Sequence, residues 1–270
     1  MNKNVFNKTV FERWRATVIY AVGILGYMLM VTAVYPTYKK MLTEKADLLK
    51  NYPKGLLQLF GVKNINASSF TNYITLELLG FIWVIIMVAF VVAFARNMIS
   101  GELKDGTLEL LMSQPVPRWK ILTSEGMAML AGIVGLVVTT VLGVIVFGSA
   151  FASSGGVNYA GLAAFIPVGI CLATAIAGYS VLFTVLIKDP RRVIMASVGL
   201  TLYFYLIHFA AGYSKIVDKI DWFGIFHYYD PFTVIERGTV PAKSVLVLLA
   251  FTAVGFGAAI WAFQHKDIKQ

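Results

Sequence analysis

Residues 101–107, Gly-Glu-Leu-Lys-Asp-Gly-Thr, begin like a phosphate-binding loop, G-x-x-x-x-G, and then depart from it. The lysine that would reach the phosphates is missing after the second glycine, and Glu102, Asp105 and Glu109 would repel a phosphate anion. The sequence holds no H-E-x-x-H, no G-x-S-x-G and no cysteine-rich metal spacing, so catalytic residues are expected to be none. Of its three histidines, His227 beside Asp230 offers a metal pair or a proton relay. No third ligand lies near them in the sequence, so no metal site is expected. His208, set among Tyr203, Phe204, Tyr205 and Phe209, reads as a hydrogen-bonded packing residue. Cys171 is the single cysteine and sits in an apolar run, which excludes an intrachain disulfide and suits a small packing side chain.

What remains is a polar segment, residues 99–121, between two long apolar runs. Its six charges are Glu102, Lys104, Asp105, Glu109, Arg118 and Lys120. At about 3 kcal/mol for each charge at a bilayer centre, on the order of 15 to 20 kcal/mol in total, this segment lies outside the lipid. Within it, Leu108, Leu111 and Met112 recur at i, i+3, i+4, with Glu109 off that stripe. Gly106 and Thr107 can start a helix, and Pro115 and Pro117 stop it after about two turns. A short stopped helix with an apolar stripe fits a groove in a soluble partner; an ordinary solvated loop helix would have the same periodicity.

The order of Glu102, Gly106, Thr107, Leu108, Glu109, Leu110, Leu111, Pro115, Val116 and Arg118 resembles the cytoplasmic coupling segment of the type-2 ATP-binding-cassette (ABC) exporter permeases. Lys104 and Asp105 before the Gly-Thr pair depart from the commoner pattern. The resemblance implies an all-α integral membrane protein of six transmembrane helices, with a cytoplasmic coupling helix between spans 2 and 3. It implies a separate ABC ATPase subunit, in two copies, contacted by Glu102, Gly106, Thr107, Leu108, Glu109, Leu111, Met112, Pro115 and Arg118. No cofactor is expected in this chain, since ATP and Mg belong to that subunit. The permease would pair with itself, or with a related permease as a pseudo-dimer, mainly through the first and fifth spans. Tyr27, Tyr203 and Tyr205 would then lie near a substrate path between protomers, or simply pack the dimer.

Composition reaches the membrane without that resemblance. A hydrophobic content of 58%, with 14% charged residues, and a mean hydropathy of +0.74 are far from those of a soluble domain. The net charge of +9 suits contact with membrane lipid, and no basic stripe interleaved with aromatics points to nucleic acid. The whole chain, 1–270, reads as a single transmembrane permease domain. Residues 16–35 carry no charge and span about 30 Å as a helix, matching the hydrocarbon core. Similar runs at 73–95, 126–152, 159–187, 193–213 and 244–264 bring the number of expected spans to six. An even number puts both termini on one side of the cell membrane. Arg13, Arg15, Arg96, Arg118, Arg191 and Arg192 share that side, and only Arg237 does not, which argues that it is cytoplasmic. The lysines dilute this bias, and the resemblance decides for the cytoplasm.

Outside the spans, Phe6, Val10 and Trp14 recur every four residues and suggest an interfacial amphipathic helix. Residues 36–72 suggest short external amphipathic helices around Pro53, lying on the outer leaflet or lidding an exit path. The loop 214–243, rich in aromatics, reads as an interfacial hairpin. Gly169, Ala173 and Ala177, and Ala253 with Gly257, are expected where helices approach closely. Glu77 and Glu125 are expected to reach water at span ends, the alternative being that they face the external and cytoplasmic ends of a cavity.

The expected function is that of a permease subunit. Hydrolysis by the partner would drive efflux of a hydrophobic or amphiphilic substrate, a drug, peptide or lipid, past spans rich in aromatic and methionine side chains. Two other classes remain: an ion-coupled secondary transporter, disfavoured by the scarcity of charge inside the spans, and a non-transporting membrane scaffold or regulator.

Overall fold

The first helix exceeds what a bilayer requires. In the computed structural model, which describes residues 3–44, 70–99, 117–151, 156–213 and 215–265, α1 (Lys3–Glu44) runs for 42 residues. That is about 63 Å at the rise of an α-helix. The amphipathic start and the first apolar run, expected as two pieces, form one helix with Pro36 inside it.

The second apolar run is broken. α2 (Phe70–Ile74) passes into a π-helical turn (Thr75–Leu79) and then, across Gly80 and Phe81, into α3 (Ile82–Arg96), with a bend of 44°. Gly80 N–H bonds to Thr75 O five residues back at 2.8 Å, the wider ring that defines a π turn. Phe81, at φ −137° and ψ −56°, leaves helical geometry and ends the ladder there.

α4 (Arg118–Phe151), α5 (Tyr159–Leu186) and α6 (Pro190–Ala211) follow. A hairpin comes next, of α7 (Lys215–Asp221), a 3₁₀ turn (Ile225–Tyr228) and α8 (Pro231–Arg237), before α9 (Ala242–His265). Asp-Pro pairs start two of these helices: Asp189 accepts from Arg191 N–H at 2.9 Å and Asp230 from Thr233 N–H at 3.2 Å, each with proline as first helical residue. Gly238, at φ +61°, closes α8 in the left-handed conformation that glycine adopts without strain.

The described residues are helical with no strand. Among the described residues, five helices are long and apolar enough to cross a membrane: Phe6–Lys40, Trp119–Phe151, Tyr159–Leu186, Pro190–Ala211 and Ala242–His265. The bent α2–α3 pair is apolar enough for a further span or a re-entrant loop. This is a multi-pass membrane protein. Of the stretch 36–72 expected as external helices, residues 36–44 continue α1 and 70–72 begin α2, and residues 45–69 lie outside the described residues.

α5 is the centre of the bundle, packed against α3, α4, α6 and α9. It runs parallel to α9, with Thr252 Oγ1 donating to Thr174 Oγ1 at 3.3 Å and Gly255 against Gly178. A Cβ on Gly255 would come within 2.5 Å of the Gly178 backbone, so neither backbone could approach as it does with a larger residue there. The close approach expected at Gly257 is two residues off, because α9 turns Leu248, Gly255, Ala259 and Phe263 inward and leaves Gly257 in open space.

Candidate functional site

Successive long helices alternate in direction and give the molecule two ends. Arg13 of α1 donates to Asn97 O at 3.0 Å and lies over the Phe94 ring at 4.9 Å, which joins the start of α1 to the end of α3. Thr71 Oγ1 donates to Gly156 O at 3.0 Å and Asn158 Nδ2 to Ile235 O at 2.7 Å, joining α2, α5 and the hairpin at the opposite end.

The candidate coupling residues Glu102, Gly106, Thr107, Leu108, Glu109, Leu111, Met112 and Pro115 lie outside the described residues. Arg118 is the first residue of α4. The flanks of that segment are described, and both are anchored. Met98 and Ile99 after α3, and Ile121 and Leu122 at the start of α4, are buried apolar side chains. Lys120 and Arg96 remain nearer water, with Arg96 Nε donating to Asn97 Oδ1 at 3.1 Å. Because α4 starts eight residues before the expected 126, Glu125 sits two turns inside a packed helix and is only 4% exposed. The expectation that it reaches water is corrected.

The candidate substrate-path tyrosines do not form one cluster. Tyr27 on α1 donates to Glu77 O, in the π turn, at 3.3 Å. Tyr205 on α6 meets Phe81, at the same break, with ring centroids 5.3 Å apart, and stands edge-on to Phe226 of the hairpin at 5.4 Å. Tyr203 lies on the outward face of α6 and is 57% exposed. The break in α2–α3 thus gathers Tyr27 and Tyr205 from two sides. Tyr229 holds the break from the hairpin, its buried hydroxyl donating to Leu79 O at 2.7 Å. Burial, and then the Asp230 carboxylate, push its phenol well above the usual range, so it stays a neutral donor.

The His227–Asp230 pair is not formed. Asp230 turns to cap α8, accepting from both the N–H and the Oγ1 of Thr233. His227 Nδ1 instead donates to Asp221 Oδ2 at 2.7 Å, and His208 Nδ1 reaches both oxygens of the same carboxylate at 3.1 Å. The third group that no neighbouring stretch of sequence supplied is therefore Asp221, at the end of α7. These three side chains have the chemistry of metal ligands, which corrects the expectation that no third ligand is at hand. Its only signal in the sequence was an acid six residues before His227, and the turn between them hides it.

The family model described as "ABC-2 family transporter protein" matches residues 4–268. No curated protein and no solved structure matches the chain. The match covers nearly every residue, from the first turn of α1 to beyond α9, and it fits a multi-pass chain whose described residues are helical. The chain belongs to the ABC-2 transporter family.

Proposed function

We propose that this chain is the membrane-spanning permease subunit of an ATP-driven exporter. It has no ATPase activity and no cofactor of its own, and it pairs with two copies of an ABC ATPase that carries ATP and Mg. The observation that carries this reading is the family match over 4–268, together with a charged segment fixed at both ends by buried apolar anchors. Membership in this family implies an ATPase partner. Rigid flanks are what a mechanical coupler requires, because movement of the segment is then passed to α3 and α4 rather than lost in slack.

On this reading the bent α2–α3 pair is the second of six spans, and both termini face the cytoplasm. The basic residues Arg13, Arg96, Lys188, Arg191 and Arg192 gather at the end from which the 100–116 segment leaves, as the positive-inside rule would have it. Two copies of the chain meet through the outward faces of α1 and α6, and a hydrophobic or amphiphilic substrate moves past Tyr27, Tyr203 and Tyr205. Apolar side chains such as Ile19, Met30, Met195 and Leu202 stand exposed on those faces, available to lipid or to a second copy.

The test is copurification with the ATPase and measurement of its stimulated hydrolysis. Glu109→Lys combined with Leu111→Asp is expected to abolish association while leaving membrane insertion intact. Unchanged association and transport would reduce the segment to a loop, and transport by the chain alone under an ion gradient would replace the reading with a secondary carrier.

A further inference from the structure

We propose that His208, Asp221 and His227 form a binding site for a divalent transition metal ion of the zinc type, at the end of the bundle opposite the 100–116 segment. The inference does not rest on the transport reading. Each ligand comes from a different element, the last turn of α6, the end of α7 and the 3₁₀ turn, and the three ligand atoms lie within 4.8 Å of one another. Asp221 Oδ2 is 2.7 Å from His227 Nδ1 and 3.1 Å from His208 Nδ1.

A tetrahedral zinc ion with bonds of about 2.0 to 2.1 Å holds neighbouring ligand atoms about 3.3 Å apart. The two carboxylate–imidazole spacings need to open by only about half an ångström, and the histidine nitrogens, within 4.8 Å of each other, lie in range of the same ion, each imidazole then carrying its proton on Nε2. Two imidazoles and one carboxylate, with the fourth position left to water, favour zinc or another late first-row ion over magnesium or calcium, which prefer all-oxygen sets.

The surroundings favour occupation. The Asp221 side chain is 5% exposed, and among the described residues its ion pairs are with these two histidines and with no lysine or arginine. A buried carboxylate that faces two imidazoles and, among the described residues, no cation is poorly compensated, and a dication compensates it fully. The histidine side chains, 41% and 40% exposed, give an ion a route from water. The turn carrying two of the ligands is closed by its own hydrogen bonds: Gly224 N–H to Asp221 O at 2.8 Å, and Tyr228 Oη to Trp222 O at 3.0 Å. Tyr205 pins it to α6 edge-on through Phe226. Little ordering remains to be done on binding, and a bound ion would tie the hairpin to α6.

The experiment uses the purified full chain without a polyhistidine tag, in detergent, titrated with Zn²⁺ against a chromogenic chelator and separately with Co²⁺ under visible absorption. The expected result is one Zn²⁺ per chain, intense tetrahedral Co²⁺ bands and a Zn²⁺-dependent rise in the melting midpoint. His227→Ala and His208→Ala should each weaken binding by at least about tenfold, since even outer-shell losses cost that much. His265→Ala, at the other end of α9, should leave it unchanged. The half-exposed His227 makes its variant a safe one to fold, and the melting midpoint without metal checks that it does. Absence of stoichiometric binding, or equal affinity in the His208→Ala/His227→Ala double variant, would overturn the site and leave a hydrogen-bonded cluster only.

Discussion

α5 and α6 are consecutive helices of similar length and similar apolar content, yet 72% of the most apolar stretch of α5 is buried and only 17% of that of α6. The difference lies in side-chain size and its placement around the helix. α5 buries Gly169, Ala173, Ala177 and Gly178 among larger residues, so neighbouring backbones come close on several sides. α6 sets Met195, Leu202, Tyr203 and Leu206 outward; it buries Pro190, Val193, Ser197 and Thr201 fully and Leu200, Phe204 and Tyr205 in part. Hydropathy is blind to this, because in lipid an outward leucine and an inward one are equally content. What holds α5 is contact with protein on many sides; what α6 leaves exposed is available to lipid or to another protein.

The comparison breaks most severely if the seam between α5 and α9 is forced apart. Gly255→Leu places a side chain where a Cβ already meets the Gly178 backbone at 2.5 Å. The loss is expected to reach or exceed the upper end of the overpacking range, about 3 kcal/mol, and to show as a collapse of monodisperse yield in detergent. Near-normal yield and melting would mean that the two helices do not pack as described.

A smaller effect is expected where the hairpin holds the break. Tyr229→Phe removes the donor to Leu79 O, leaving a buried carbonyl unsatisfied at a cost of about 1 to 3 kcal/mol, visible as a lowered melting midpoint. No change would show that the π turn does not depend on the hairpin.

Least of all should follow from the outward face of α6. Leu202→Ala is expected to change the stability of the isolated chain by no more than about 0.5 kcal/mol in a detergent melt. If it instead dissociates a dimer on size-exclusion chromatography, that face is a protein interface rather than a lipid one. Tyr203→Ala sharpens the point: with unchanged melting and unchanged dimer, a shift in which hydrophobic compounds stimulate the partner's ATPase would assign Tyr203 to the substrate path.

Much of the fold was legible because apolar length is a one-dimensional property. The uninterrupted runs near 126–152, 159–187, 193–213 and 244–264 could only be long helices in lipid, where every backbone group must be satisfied within its own segment. Helix starts were less legible. Asp189-Pro190 is a cap signal three residues before the expected boundary, and the early start of α4 at Arg118 carries Glu125 into the interior. The π turn at Thr75–Leu79 leaves no mark in hydropathy, since its residues are as apolar as their neighbours apart from Glu77. The candidate coupling segment is read from the sequence alone, through charges that lipid would not accept and prolines that end a helix, and residues 100–116 lie outside the described residues.

The sequence by itself determined that this chain belongs in a membrane and that it is helical there. Each of these follows from local free energies of transfer and hydrogen bonding. Only the tertiary structure decided which face of each helix turns inward, that Gly178 and Gly255 rather than Gly257 form the seam, and that Tyr27 and Tyr205 meet the same break. It also decided that Asp221, thirteen residues from His208 and six from His227, joins them at one carboxylate. Such pairings depend on how helices rotate against one another, and rotation is set by the fit of many side chains at once, which no single stretch of sequence contains.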